Sequence, residues 1–384
     1  MAVTALIVGG GLGGLAAALA LARQGIASHV LEQAPGFGEI GAGIQLGPNV
    51  FRMFDRLGVS EAICRDAVFV DRLLMMDALT EETVVTGDLG QAFRERFGAP
   101  YAVTHRADFH RTLLEACEAA GPVTLETNAQ LVSLEDRGGR VRAHLADGGR
   151  REGAFLIGAD GLWSKVREHV VGDGPPKVSG HIAYRAVLPI GEVPEAMRWN
   201  AAALWAGPRN HLVHYPLRRS TLFNLVAVFH SDRYVEGWDS EGDRDELMAR
   251  FAGVSPVPMA LLEKIETWRM WVLCDREPVA DWSRGRVCLL GDAAHPTLQY
   301  LAQGACMAVE DAVALADALA GDGDVERAFR TYAKARYLRT ARVQLTARMM
   351  GEIYHAEGVR RELRNHVLST AELREGMAWL YDGP

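Results

Sequence analysis

Two apolar runs in this chain end in glycine, almost three hundred residues apart. Ala5-Leu6-Ile7-Val8 is uniformly apolar and runs into Gly9-Gly10-Gly11-Leu12-Gly13-Gly14. Four such residues read as a strand buried on both faces. Leu15 to Leu21 continue as a helix, and the next apolar run ends at Glu32, so residues 3 to 33 read as a βαβ unit. Val287-Cys288-Leu289-Leu290 repeats the strand-to-glycine pattern at Gly291-Asp292-Ala293-Ala294-His295-Pro296.

Between these runs the pattern changes. Residues 34 to 47 are glycine-rich and are expected to form a loop, followed by a helix from Pro48 to Leu57 that Gly58 stops. Residues 68 to 88 alternate as strands. Tyr101 to His105 reads as a strand and Ala107 to Ala120 as a helix. Short strands are expected over 122 to 158, around Gly138-Gly139 and Gly148-Gly149. Residues 180 to 230 are strand-rich and 243 to 265 helical. A helix is expected from Gly304 to Leu319, and helices dominate from Val325 onward.

Gly9, Gly11 and Gly14 fit G-x-G-x-x-G, the turn that lets backbone approach a pyrophosphate at a helix N-terminus. Glu32 lies where an acid bonds a ribose hydroxyl, and an acid there fits an unphosphorylated adenosine ribose. Two glycine turns suggest one long cofactor gripped at both ends. Asp160, in Leu156-Ile157-Gly158-Ala159-Asp160-Gly161, can alternatively serve as a plain helix cap. Gly291-Asp292 is, on its own, a plain strand-to-helix turn.

Composition narrows the classes. The chain has 384 residues, is 49% hydrophobic and 23% charged, and carries a net charge of -8 with dispersed Lys and Arg. That balance argues against a nucleic-acid partner. Its five cysteines show no C-x-x-C pairing and read as reduced thiols of a cytoplasmic protein. No signal peptide or membrane span is expected, because glycines interrupt the only N-terminal apolar run.

In order and spacing these motifs resemble the flavin-dependent aromatic hydroxylases, the class A flavoprotein monooxygenases. Four segments carry the likeness: Ala5 to Gly14, Thr104-His105-Arg106-Ala107-Asp108, Ala159-Asp160-Gly161 and Gly291 to Pro296. The resemblance implies an α/β fold, with a Rossmann-like FAD-binding domain interrupted by a β-sheet-rich substrate domain and followed by C-terminal helices. Residues 1–70, 98–178 and 270–340 are expected to form the FAD-binding domain. Residues 71–97 and 179–269 are expected to form the substrate domain, and 341–384 a C-terminal helical segment. By the same resemblance Arg106 contacts the FAD phosphates and ribityl side, Asp160 contributes to FAD and nicotinamide binding, and Asp292 holds the ribityl chain. The helix starting at Gly304 and Ala305 would face the flavin pyrimidine, where its dipole favours negative charge on the reduced ring.

Further segments resemble the family members that hydroxylate 3-hydroxybenzoate at C6. They are Pro100 to Arg106, His211-Leu212-Val213-His214-Tyr215-Pro216-Leu217-Arg218, Asp275 to Pro278 and His295 to Ala302. The implied reaction takes 3-hydroxybenzoate to 2,5-dihydroxybenzoate with NADH (or NADPH) and O2, through a flavin C4a-hydroperoxide. Hydroxylation of salicylate or 6-hydroxynicotinate is the alternative. In a strand His211, Val213 and Tyr215 share one face, and His214 points the other way. From the residues alone, His211 and Tyr215 are better explained as satisfied polar groups on a sheet. The resemblance makes His211, Tyr215 and Gln299 the substrate-facing set. A histidine near its ordinary pKa of about 6.5 would accept the phenolic proton, and tyrosine and glutamine would hold the substrate oxygen. Gln299 has a structural alternative, satisfying backbone in its loop, and His295 is expected to support the flavin loop. Glu310 and Asp311 are expected to serve helix surface and packing rather than catalysis.

Competing classes are a simple NAD-dependent dehydrogenase, which has no use for Gly291-Asp292, and a flavin-binding regulator without turnover. No residue is compelled into the pocket to bind a carboxylate. A homodimer is one option, with Trp379, Leu380 and Tyr381 covering either a partner or their own domain.

Overall fold

The computed structural model describes residues 4–38, 42–231, 240–370 and 373–383. Thr4–Val8 lies inside a six-stranded sheet. Its parallel neighbours are Ala27–Leu31 on one side and Phe155–Gly158 on the other. Val123–Glu126 extends the first side in parallel. Val287–Leu289 extends the second, and Ser283–Arg284 closes that edge antiparallel. Val8 pairs with Gly158 and Gly158 with Leu289, so three strands from distant parts of the chain end side by side. Gly9, Asp160 and Gly291 follow those ends. In parallel sheets this carboxyl edge is where ligands bind.

Two helices pack close to that edge. Leu12–Arg23 follows the first glycine turn, and Gly304–Gly321 follows the second. Glycine lets them approach: a Cβ on Gly13 would sit 3.5 Å from Ala308 Cβ of the second helix and 3.0 Å from Leu290 Cδ2.

The second large sheet has eight strands, in the order Ser240–Glu241, Arg269–Asp275, Lys177–Pro189, Leu222–His230, Asn210–Leu217, Ala201–Gly207, Arg72–Asp77 and Thr83–Asp88. Alternation splits its two faces. Ile182, Tyr184, Leu212, Phe223, Leu225 and Phe229 share a core with Leu247, Leu261 and Leu262 from the short helices Arg244–Arg250 and Pro256–Leu262. Ala183, Tyr215, Val226 and Val228 join the main core instead. The sheet is therefore apolar on both sides, and one side faces the nucleotide-binding half.

The expected loop over 34 to 47 contains a strand, Gly43–Leu46, paired antiparallel with Ala102–His105. Glycine content hid it, yet glycine is what the position needs. A Cβ on Gly43 would lie 2.4 Å from Tyr215 Cε2, and the Gly43 N–H donates to Asn224 Oδ1 at 2.8 Å.

The C-terminal part is helical, with Val325–Tyr354 and Val359–Leu368 as its longest pieces. Leu380 and Tyr381 are buried, and the Tyr381 ring packs on Phe93, Phe97 and Tyr101. The tail thus covers its own chain. Asp77, at the end of its strand, accepts from Arg361, Arg364 and Asn365, which fastens Val359–Leu368 to the large sheet. All five cysteines are free, four of them buried. Among the described residues no helix is long and apolar enough to cross a membrane.

Candidate active site

The first glycine turn is fixed by backbone contacts. Gly9 has φ 105°, and a Cβ there would sit 2.4 Å from Ala159 O. A Cβ on Gly14 would sit 1.9 Å from Gly9 O, too close for any side chain. Gly11 caps the helix and accepts from the Leu15 N–H, and no acid occupies the first helical turn. The N-terminus is left favourable to anions. Glu32 curls against this turn, accepting from the Gly10 N–H at 2.7 Å and the Ala34 N–H at 2.8 Å.

Asp160 accepts from Ser164 Oγ at 2.6 Å and from the Val166 N–H at 3.1 Å, but the helix Lys165–Val170 is capped by Ser164, whose Oγ accepts from the Arg167 N–H, so Asp160 braces the cap from four residues upstream. Burial pushes its carboxyl pKa up. It also stands beside the first turn, since a Cβ on Gly9 would be 3.1 Å from Asp160 Cα. At the second turn Gly291 has φ 62° and its N–H donates to Asp311 Oδ2 at 3.1 Å. Asp292 is exposed, and its Oδ1 is 3.8 Å from a Cβ built on Gly304, where the next helix begins. Ala305 is half-buried beside it. The Arg106 N–H donates to Ala42 O at 2.9 Å. Glycine-lined backbone at one end, Glu32 beside it and an exposed acid at a second helix N-terminus fit an extended dinucleotide such as FAD.

Glu310 and Asp311 are not on the surface. Both are fully buried. Asp311 accepts from Arg336 Nε at 2.7 Å and pairs with His295 Nε2, while Glu310 accepts from Arg336, Arg339 and Asn49. Burial alone would raise the Asp311 carboxyl, but His295 and Arg336 hold it at about 2. The acids look like surface residues because their cationic partners lie some 25 residues further on. The network anchors the second glycine turn, and His295 serves it as a support.

The three residues expected to face substrate lie where the large sheet meets the loop after Pro296. His211 and Tyr215 share the inner face of Asn210–Leu217. His214 points to the opposite face, where it is equally buried, accepts from Trp205 Nε1 at 3.0 Å and stacks on Phe223. Tyr215 is 2% exposed, and burial raises its phenol pKa. Gln299 begins a short 3-10 turn, Gln299–Leu301, and its Oε1 accepts from Arg185 Nη2 at 2.5 Å. Its amide thus holds a side chain across the seam, not loop backbone. The His211 ring is 5.6 Å from that of Tyr300 in the same turn. Its Nδ1 is 2.7 Å from His355 Nε2. Burial, aided by His181, lowers the His211 pKa to about 3, well under the ordinary value expected from its residue type.

Nothing in the sequence pattern singles out Arg185. It projects from Lys177–Pro189, opposite Val226, on the inner face. Its guanidinium lies 5.1 Å from the Trp271 ring centroid, and its Nε is buried with no hydrogen-bond partner among the described residues. Burial lowers its pKa to about 10, with Tyr215 opposing and Arg106 adding to the shift. Asn224 Nδ2 is likewise buried without a partner among the described residues. Two unsatisfied donors facing one seam point to an acceptor-rich ligand.

A family model described as an FAD binding domain matches residues 2–346. The 3-hydroxybenzoate 6-hydroxylase of Polaromonas naphthalenivorans (strain CJ2) is 49% identical over 381 residues, covering 98% of this chain and 95% of that protein. The 6-hydroxynicotinate 3-monooxygenase of Pseudomonas fluorescens is 36% identical over 348 residues, 88% of each. The crystal structure of Klebsiella pneumoniae HpxO complexed with FAD and uric acid is similar at a TM-score of 0.87 and 26% identity, covering 100% of this chain and 97% of that one. The chain belongs to the FAD-binding family of flavoprotein aromatic monooxygenases, with FAD as its cofactor.

Proposed function

We propose that this enzyme hydroxylates 3-hydroxybenzoate to 2,5-dihydroxybenzoate, with NADH and O2 as co-substrates. The observation that carries the reading is the 49% identity, over nearly the whole chain, to a relative named for that activity. Gly9, Gly11, Gly14, Glu32 and Arg106 would hold the ADP half of FAD. Asp160, Asp292, Gly304 and Ala305 would hold the rest. FAD, when bound, would supply the oxygen activation, with NADH as its reductant.

The remaining work falls to side chains. His211, neutral in its buried setting, accepts the phenolic proton and so makes the ring electron-rich. Tyr215 and Gln299 orient the substrate oxygens. Arg185 supplies the cation for the carboxylate, with its partnerless Nε as the donor. The apolar inner face of the sheet and the Gly43–Leu46 strand exclude water around the ring. A panel of 3-hydroxybenzoate, salicylate and 6-hydroxynicotinate, each incubated with the holoenzyme, NADH and O2, tests this. Gentisate as the preferred product upholds it; preferential turnover of either other acid refutes it.

A further inference from the structure

His211 is one end of a chain of imidazoles that leads out of the active site. His211 Nδ1 is 2.7 Å from His355 Nε2. His355 Nδ1 is in turn 3.0 Å from His230 Nε2. The three rings are joined with one polarity: each meets the previous ring through Nε2 and the next through Nδ1. His211 and His355 are buried, whereas His230 is half-buried and borders a cavity of about 240 Å³. The exposed residues Arg209 and Glu352 form part of that cavity's wall, which connects it to solvent. His181 flanks the chain, with its ring 4.3 Å from that of His230 and its Nδ1 2.5 Å from Tyr300 Oη.

We infer that His211, His355 and His230 form a proton relay that carries the substrate's phenolic proton from the active site to the cavity beside Arg209 and Glu352. The inference rests on the proposed role of His211 and assigns the proton's exit, which that role leaves open. In the tautomers with Nδ1 protonated, the phenol O–H breaks as its proton bonds His211 Nε2. The Nδ1 proton of His211 passes to His355 Nε2, and that of His355 passes to His230 Nε2. His230 then releases its Nδ1 proton to water in the cavity. Only protons move, and each ring ends in the opposite tautomer. The same path run backwards, when the product hydroxyl is reprotonated, restores the starting state.

The environment suits transfer better than storage. Burial and the neighbouring rings lower the pKa of His355, and burial with Arg209 lowers that of His230, while Glu352 and Glu357 act the other way. A ring that disfavours charge must pass a proton on promptly to act as a base near neutral pH. His355 is therefore a positioning residue, acting through His211.

The test uses 3-hydroxy-4-nitrobenzoate, a phenol whose ionised form absorbs visible light, bound to oxidised holoenzyme. Ionisation after a pH jump is followed by stopped flow in wild type, His355→Gln and His230→Gln, with FAD and ligand affinity measured for each. The relay predicts unchanged affinities and final ionisation, with ionisation slowed by about 10-fold or more in both variants. Added imidazole should restore the rate in His355→Gln. Equal rates in wild type and in both variants overturn the relay while leaving His211 as the base. Loss of bound-ligand ionisation in wild type instead removes the His211 role itself. His230→Gln lies at the half-buried end, so it keeps the test available if His355→Gln fails to fold. Stoichiometric metal in purified wild type, lost in His230→Gln, would also overturn the relay, because His181, His230 and His355 place ligand atoms within 4.8 Å of one another.

Discussion

Arg185 Nη2 donates to Gln299 Oε1 at 2.5 Å, joining a strand of the large sheet to the loop that follows the second glycine turn. The contact uses one donor and leaves Nε buried without a partner among the described residues, which an incoming carboxylate would satisfy. Arg185→Gln should lose a charge-assisted hydrogen bond of about 1.5–3 kcal/mol. The KM for the aromatic acid should rise roughly 10- to 150-fold. FAD retention should be unchanged, because Arg185 is not in the cofactor set. Steady-state kinetics beside a flavin titration check both halves, and an unaltered KM assigns the carboxylate elsewhere.

Gly14 allows no side chain. The alanine Cβ would meet Gly9 O at 1.9 Å, and both atoms belong to the turn that would cradle the pyrophosphate. Gly14→Ala should give protein that is colourless or nearly so, with a lowered Tm. Gly36→Ala is the matched control, since no atom of the described residues lies within 4 Å of its Cβ position. Absorbance at flavin wavelengths and a melting curve separate the two. A fully yellow Gly14→Ala protein would mean that the turn opens without cost.

Glu32 bonds two backbone N–H groups here, so it shapes the turn as well as awaiting a ribose. Glu32→Ala should raise the FAD dissociation constant and leave turnover intact at saturating FAD. Asp292→Ala should weaken FAD by about 1.5–3 kcal/mol, the worth of a charge-assisted hydrogen bond. Unchanged affinity in Asp292→Ala would reduce the second motif to a turn.

Asp77 tests the attachment of the C-terminal helices. Burial pushes its carboxyl up, yet Arg361, Asn365 and the Leu79 N–H outweigh it and hold it at about 2. A depressed carboxyl stabilises the fold fully above its unfolded pKa of about 3.9. That contribution drains away as pH falls from about 4 toward 2. Asp77→Ala leaves Arg364 buried without its counter-ion and should cost about 3–5 kcal/mol at neutral pH. Denaturant melts at pH 7 and pH 3 check it, with the gap between wild type and variant narrowing at the lower pH.

Local features were legible in the sequence. The glycine turns, the helix ending at Gly58 and the common face of His211 and Tyr215 depend on neighbours within a few residues. The gaps follow from long-range pairing. Arg185 reaches the site only because its strand lies opposite Val226, and His355 meets His211 across 144 residues. Gly43–Leu46 looked like loop because its glycine serves a close approach to Tyr215. Glu310 and Asp311 looked exposed because charge suggests solvent, whereas Arg336 and Arg339 neutralise them in the core. The pKa of His211 could not be read from residue type, since burial sets it.

The central claim is that His211 takes the phenolic proton of 3-hydroxybenzoate and so couples NADH oxidation to ring hydroxylation. General-base assistance is worth about 10² to 10⁴ in rate. The decisive measurement is the ratio of gentisate formed to NADH consumed, in wild type and in His211→Ala at saturating FAD. The account predicts a ratio near one for wild type. For His211→Ala it predicts a ratio near zero, with flavin still reduced by NADH and hydrogen peroxide in place of product. A variant that keeps full coupling would contradict it, as would a wild type that converts salicylate to catechol and ignores 3-hydroxybenzoate.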